Sequence, residues 1–105
     1  MLVQINTDDN LSRTDTQPDQ IEATIRNLLD RFADQVTRVV VHLSDENSDK
    51  KFGTADMRCL LEVRLEGLQP IVVTDAAATV EEAVDGSARK MQRSLDSIVG
   101  KRKKH

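Results

Sequence analysis

The chain has no tryptophan and no tyrosine, and its two phenylalanines, Phe32 and Phe52, leave aromatic residues at 2% of 105 positions. A core must therefore be built from aliphatic side chains. The stacking platforms on which many single-strand nucleic-acid binders rest their bases are missing. Any contact with RNA has to run through charge and shape. A single cysteine, Cys59, excludes an internal disulfide. The N-terminus has no basic, apolar leader, and no apolar run approaches the ~18 residues of a membrane span, so the expectation is a soluble, cytoplasmic protein without membrane contact. Of the two histidines, His42 lies within an alternating segment and His105 is terminal. With no second histidine or cysteine near either, neither a metal site nor a Cys-His pair has a ligand set. No glycine-rich phosphate loop, serine-centred elbow or pair of acid-base carboxylates stands on one element. No catalytic residue can be named, and no cofactor, metal or small-molecule substrate is expected.

Charge, by contrast, is abundant and unevenly placed. The formal net charge is −3. Residues 1–49 hold four basic and ten acidic side chains, whereas residues 50–105 hold eleven and eight. Most of the positive excess lies in residues 86–105, where seven lysines and arginines face Asp96 alone. Such a local basic element attracts polyanions over a Debye length of about 8 Å at physiological salt, whatever the net charge. The plain alternative is a solvating tail.

Periodicity predicts six elements. Leu2 to Asn6 alternates as a first strand. Thr16-Gln17-Pro18-Asp19 then supplies a cap oxygen, a first-turn proline and an early acid, the start of a helix to about Ala33. Its apolar positions Ile21, Ile25, Leu28, Leu29, Phe32 and Val36 fall on one face. From Arg38 the period becomes two, with Val39, Val41 and Leu43 on one side and Arg38, Val40, His42 and Ser44 on the other. After a polar loop over residues 45–55, Met57, Cys59, Leu61, Val63 and Leu65 line one face of a third strand. A tight return at Glu66-Gly67 leads into a fourth, Leu68 to Thr74, whose Pro70 implies an edge position or a bulge. Thr79 with Glu81 and Glu82 opens a second amphipathic helix, expected to stop at Gly100. The order β-α-β-β-β-α implies an α+β fold, a two-layer sandwich in which both helices are packed on one face of a four-stranded sheet. Residues 1–100 are read as this domain and residues 101–105 as a basic C-terminal tail.

Cys59 is in phase with the apolar side of the third strand, which makes it a small core residue rather than a nucleophile. The run Asp45-Glu46-Asn47-Ser48-Asp49, reaching to Asp56, places oxygen ligands at calcium-loop positions. Lys50 stands where that loop needs glycine, however, and strands flank it, so a plain acidic loop is the better reading. Gly86 inside the second helix costs about 1 kcal/mol relative to alanine, and a close helix-sheet approach would explain it.

Ala83-Val84-Asp85-Gly86 and Lys90-Met91-Gln92-Arg93-Ser94-Leu95 resemble the last-helix pattern of the hibernation-promoting factor and ribosome-associated inhibitor family, also labelled sigma-54 modulation proteins. The run Leu29-Asp30-Arg31-Phe32, the strand Val39 to Ser44 and the strand-turn-strand before the last helix fall in the same order, so the resemblance spans essentially the whole chain. It implies a bacterial ribosome-associated translation inhibitor. Such a protein binds the small (30S) subunit and its 16S rRNA, within the 70S ribosome as well, at the mRNA-tRNA channel, and blocks initiation on idle ribosomes. The chain resembles the short form, which lacks the extra domain that pairs ribosomes. It implies rRNA contacts from Lys90 and Arg93; Arg89, where the family often has an acid, adds a charge one turn before Arg93, Lys101, Arg102, Lys103 and Lys104 extend the contact beyond the helix end, and Arg26 stands in for first-helix lysines.

Several residues depart from the family pattern. Glu81 replaces a common tyrosine, Asp96 and Ser97 replace basic or polar residues, Thr24 and Asn27 fall where lysine is frequent, and Asp8 and Asp9 make the first loop acidic. These losses keep an alternative open: a protein-interaction module of the same fold that has lost ribosome binding. A double-stranded RNA binder shares the layer architecture but not the N-terminal β-α order. With no large apolar stripe to cover, a monomer is expected.

Overall fold

The alternation of Leu2 to Thr7 and the β-branched run Val39-Val40-Val41 favour extended chain, and both form parts of one sheet. The computed structural model describes residues 1–8, 17–45 and 57–103, the last three by backbone alone. Its elements are β1 (Leu2–Thr7), α1 (Pro18–Leu28), a 3-10 turn (Asp30–Phe32), β2 (Val36–Asp45), β3 (Met57–Leu65), β4 (Ile71–Ala77) and α2 (Val80–Lys103). The sheet order is β1-β2-β3-β4. β1 runs parallel to β2, as the α1 crossover between them allows, and β2-β3-β4 form an antiparallel meander. Both helices lie on one sheet face. The α+β sandwich predicted from periodicity is the observed architecture.

The core is aliphatic, as the shortage of aromatics demands. Ile25, Leu29, Val39, Val41, Cys59, Leu61, Val63, Ala83, Ala88, Met91 and Leu95 have no exposed surface. The expected phases of β2 and β3 hold: Val39, Val41 and Leu43 are buried beside Cys59, Leu61, Val63 and Leu65.

Four boundaries differ from those the sequence predicts, each for a local reason. α1 ends at Leu28 instead of Ala33, and the chain tightens into the turn Asp30–Phe32, where Phe32 N–H donates to Leu29 O and Ala33 N–H to Asp30 O. In a 3-10 turn residues three apart eclipse, so Leu29 and Phe32 still both point into the core. Val36 does not continue the helix face but opens β2. A bulge there sets Thr37 as the extra residue, with Val36 opposite Leu65 and Arg38 opposite Arg64. The bulge lets Val36 and Val39 both face inward while Arg38 faces out. β4 begins after Pro70, at Ile71, and runs to Ala77, on the expected edge of the sheet. Pro70, having no N–H to give, therefore costs the ladder nothing. α2 continues through Gly100 to Lys103, so the expected stop is absent and Lys101, Arg102 and Lys103 are helical.

Two signals for turns and caps act as their chemistry predicts. Gly67 has φ 79°, the left-handed conformation at the third position of the Leu65–Leu68 turn, closed by Leu68 N–H to Leu65 O at 3.2 Å. Thr79 Oγ1 accepts from Glu82 N–H at 3.1 Å and caps α2. At α1 the cap position is Gln17, without a side-chain cap bond, and Pro18 opens the helix. Thr16 lies outside the described residues, as does the calcium-loop pattern beyond Asp45. Among the described residues no helix is long and apolar enough to cross a membrane, and no group of three His, Cys, Asp or Glu is placed to hold a metal.

Candidate nucleic-acid interface

The outer face of α2 carries Arg89, Lys90 and Arg93, all exposed. The inner face, through Val84, Ala88, Met91 and Leu95, packs into the core, so the 3.6-residue period leaves the cations on the wet side. Most of them already have partners. Arg89 Nε lies 2.8 Å from Asp85 Oδ2, one turn earlier, and that hydrogen bond with its charge attraction holds the Arg89 pKa above the ordinary arginine range. Lys90 Nζ donates to the Thr74 carbonyl at 2.8 Å and lies 3.1 Å from Asp75 Oδ1 on β4. Its ammonium has three donors, so one is left for an outside acceptor. Arg93 has no partner among the described residues. On α1, Arg26 Nε pairs with Glu22 Oε2 at 2.7 Å. The side chains of Lys101, Arg102 and Lys103 and the whole of Lys104 lie outside the described residues. The structure thus brings Arg89, Lys90 and Arg93 to one helix face, while Arg26 stands on the other helix.

Asp96, one of the departures from the family pattern, helps to hold the helix layer together. It pairs with Arg31 of the 3-10 turn, whose guanidinium also lies 4.9 Å from the Phe32 ring centre. One turn before Asp96, Gln92 Nε2 donates to the Leu28 carbonyl at 2.7 Å, satisfying one of the acceptors that the end of α1 leaves unpaired. Gly86 lies against β4: a Cβ there would stand 1.7 Å from Asp75 Oδ2. The close approach expected from the sequence is present. It also places Asp75 where it meets Lys90.

Cys59 is buried, with Ser87 Oγ 3.0 Å from its sulfur. Burial pushes its thiol up to about 11, against 9.0 for a free group, with Ser87 partly offsetting the shift. A neutral, enclosed thiol is a poor nucleophile, which agrees with its reading as a core residue.

A second charged surface is not evident from the sequence. The open face of the sheet, away from the helices, carries the alternate residues of all four strands. In register across it stand Leu2, Arg38 and Arg64; Gln4, Val40, Glu62 and Val72; Asn6, His42, Leu60 and Thr74; and Ser44, Arg58 and Ala76. Arg38, Arg58, Arg64 and His42 are exposed. Glu62 is the only carboxylate within these rows, and it pairs with Arg64 at 3.3 Å. Arg38 donates to the amide oxygen of Gln4, and Arg58 has no partner among the described residues. The period-two phase already separates Arg38 and His42 from the core positions of β2. Only the strand pairing shows that Arg64 and Arg58 join them.

The same architecture and sequence pattern occur in known proteins. The family model described as Sigma 54 modulation protein / S30EA ribosomal protein matches residues 3–103. The Protein Y N-terminal domain of Thermus thermophilus superposes with a TM-score of 0.70 at 23% identity, covering 93% of this chain and 99% of that one. A ribosomal subunit interface protein from Coxiella burnetii gives 0.69 at 14% identity, with 95% and 99% covered. No curated protein matches the chain in sequence.

Proposed function

The chain belongs to the sigma 54 modulation protein / S30EA ribosomal protein family, and from that premise we propose that it is a ribosome hibernation factor which binds the small (30S) subunit over 16S rRNA. Family membership makes it a ribosome-associated protein of translation regulation. The finer reading is that it occupies the mRNA-tRNA channel and blocks initiation on idle ribosomes, in free subunits and in the 70S ribosome. The observation that carries the reading is the match over residues 3–103, essentially the full β-α-β-β-β-α unit.

Physical chemistry supplies the means. With no tryptophan or tyrosine the chain has little with which to stack bases, so contact falls to phosphates. Arg93 on the wet face of α2 has no partner among the described residues, Lys90 keeps one donor beyond its bonds to β4, and Arg89 lies one turn before Arg93. Lys101, Arg102 and Lys103 prolong the same helix end, Lys104 follows them in the sequence, and Arg26 adds to the other helix. We read residues 1–100 as the ribosome-binding domain and 101–105 as its basic end. The protein acts as a monomer in the cytoplasm, binding by charge and shape without a chemical step.

One observation favours a second reading, a protein-interaction module that keeps the fold without ribosome binding. Arg89, Lys90 and Arg26 each already hold a carboxylate, which lowers what they offer a phosphate. Co-sedimentation with purified small subunits and whole ribosomes at low and physiological salt decides between the two. A hibernation factor pellets saturably at physiological salt and more tightly at low salt, because phosphate contacts release counterions. Absence from both pellets at both salts would leave the interaction module.

A further inference from the structure

The two faces of the domain differ in their balance of charge. The described helix layer mixes Asp19, Glu22, Glu81, Glu82, Asp85 and Asp96 with its cations, and most of those cations are paired. Among the described residues the open sheet face has three exposed arginines against one carboxylate, which Arg64 already holds. Arg38 and Arg64 stand directly opposite each other across β2 and β3. Like charges so placed repel, and an anion between them would relieve the repulsion. Arg58 stands six residues along β3 from Arg64, about 20 Å at strand rise. Both ends of this face are therefore cationic, with His42 between them and small polar Asn6, Ser44 and Thr74 alongside.

We infer that the open face of the β1-β2-β3-β4 sheet is a second RNA surface, gripping phosphates at two separated points, Arg38 with Arg64 at one end and Arg58 at the other. The chemistry favours a phosphate backbone. All three cations of the face are arginine, whose planar fork matches phosphate bidentately. Among the described residues the face has no aromatic side chain on which a base would stack, and an open sheet suits the broad surface of an RNA helix. Two points about 20 Å apart are too distant for a single phosphate, so the occupant is an extended backbone. The inference rests on the ribosomal reading for the identity of the RNA, and it places the domain between two RNA elements, one on α2 and one on the sheet.

The test is equilibrium binding of the full chain to small subunits and, separately, to protein-free 16S rRNA across a salt series. It compares the wild type with Arg38→Gln, Arg58→Gln, their double variant, and Arg93→Gln as the helix-face comparison. Among the described residues neither Arg38 nor Arg58 holds a carboxylate, so the variants should keep the wild-type melting temperature. Arg38→Lys with Arg58→Lys, which keeps the charge while losing the fork, guards against an unforeseen fold defect. The expected result is a loss of about tenfold or more for the double glutamine variant on both targets. The slope of log affinity against log salt should become shallower by roughly one for each arginine removed, and the lysine pair should keep the wild-type slope.

Sheet variants that bind both targets like the wild type, while Arg93→Gln weakens binding, would overturn the second surface and leave the ribosomal reading standing. Wild-type binding to naked rRNA through the sheet arginines, without binding to subunits, would do the opposite: the RNA surface would stand and the ribosomal reading would fall. Loss on subunits but not on naked rRNA would make the occupant an acidic protein and overturn the RNA assignment. No binding to either target would sink both.

Discussion

The two faces of the sheet are built from alternate residues of the same four strands, yet they are held to different standards. On the covered face Val39, Val41, Cys59, Leu61 and Val63 have no exposed surface, and Met91 and Leu95 of α2 close over them. On the open face Leu2 and Val72 keep 62% and 52% of their surface in water, and arginines stand side by side. The covered face is fixed by packing, where loss of a methylene is felt. The open face is held mainly by strand pairing, with Val40 alone buried among its residues, and its arginines stay exposed and available for binding. Stability should therefore depend on one face and affinity on the other.

The severest test of that division is Leu95→Ala, which removes a fully buried side chain from the helix-sheet contact. It should cost about 2–5 kcal/mol, read as a fall in urea midpoint at unchanged slope. A cost under about 1 kcal/mol would mean that the covered face is loosely packed. Next comes a pH effect from Cys59. Its folded pKa lies above the unfolded value, so the neutral thiol favours the native state. That contribution is complete below pH 9 and is lost as pH rises from 9 to about 11, at roughly 1.4 kcal/mol per unit at most. Chemical denaturation of the wild type and of Cys59→Ala across that window should show the extra slope only in the wild type. Thiol-specific reagents should label Cys59 at the rate of unfolding and not before.

A smaller effect tests the border between the faces, where Lys90 bridges α2 to β4. Lys90→Glu would set a carboxylate beside Asp75 and leave the Thr74 carbonyl without its donor, costing about 1 kcal/mol. That charge reversal would therefore lower stability as well as any affinity, and Arg93→Glu is the cleaner probe of the helix face because Arg93 holds no partner among the described residues. A melting curve unchanged by Lys90→Glu would show that the bridge does not persist in solution. Smallest of all, Arg38→Gln on the open face should shift stability by less than about 0.5 kcal/mol, upward if repulsion from Arg64 is felt. A large destabilisation there would break the comparison itself.

Much of the fold is legible from the residues because it depends on local rules. Thr79 caps α2 as its hydroxyl and following acids foretell, Gly67 takes the conformation that only glycine adopts cheaply, and Gly86 marks the close approach of helix and sheet. Val36 fits the helix pattern yet opens β2, because three- and four-residue spacing cannot distinguish a last helical turn from the first core position of a strand entered through a bulge. Gly100 does not stop α2, because glycine only weakens a helix, and residues 101–103 propagate it. For the candidate site, the sequence places Arg89, Lys90 and Arg93 on one helix face, since 3.6-residue periodicity is a local property. It cannot show that Lys90 meets Asp75 or that Asp96 meets Arg31, pairs 15 and 65 residues apart.

By itself, the sequence determined the order of elements, the aliphatic core and the absence of stacking aromatics, all consequences of composition and short-range period. Family membership was legible there as well, in the order and spacing of short segments. Only the tertiary structure decided which cations are already spent on carboxylates, and which arginines from separate strands share a face. Register is set by packing of the whole sheet, and a pairing between β2 and β3 brings Arg38 to Arg64 across 26 residues of chain that carry no local sign of it.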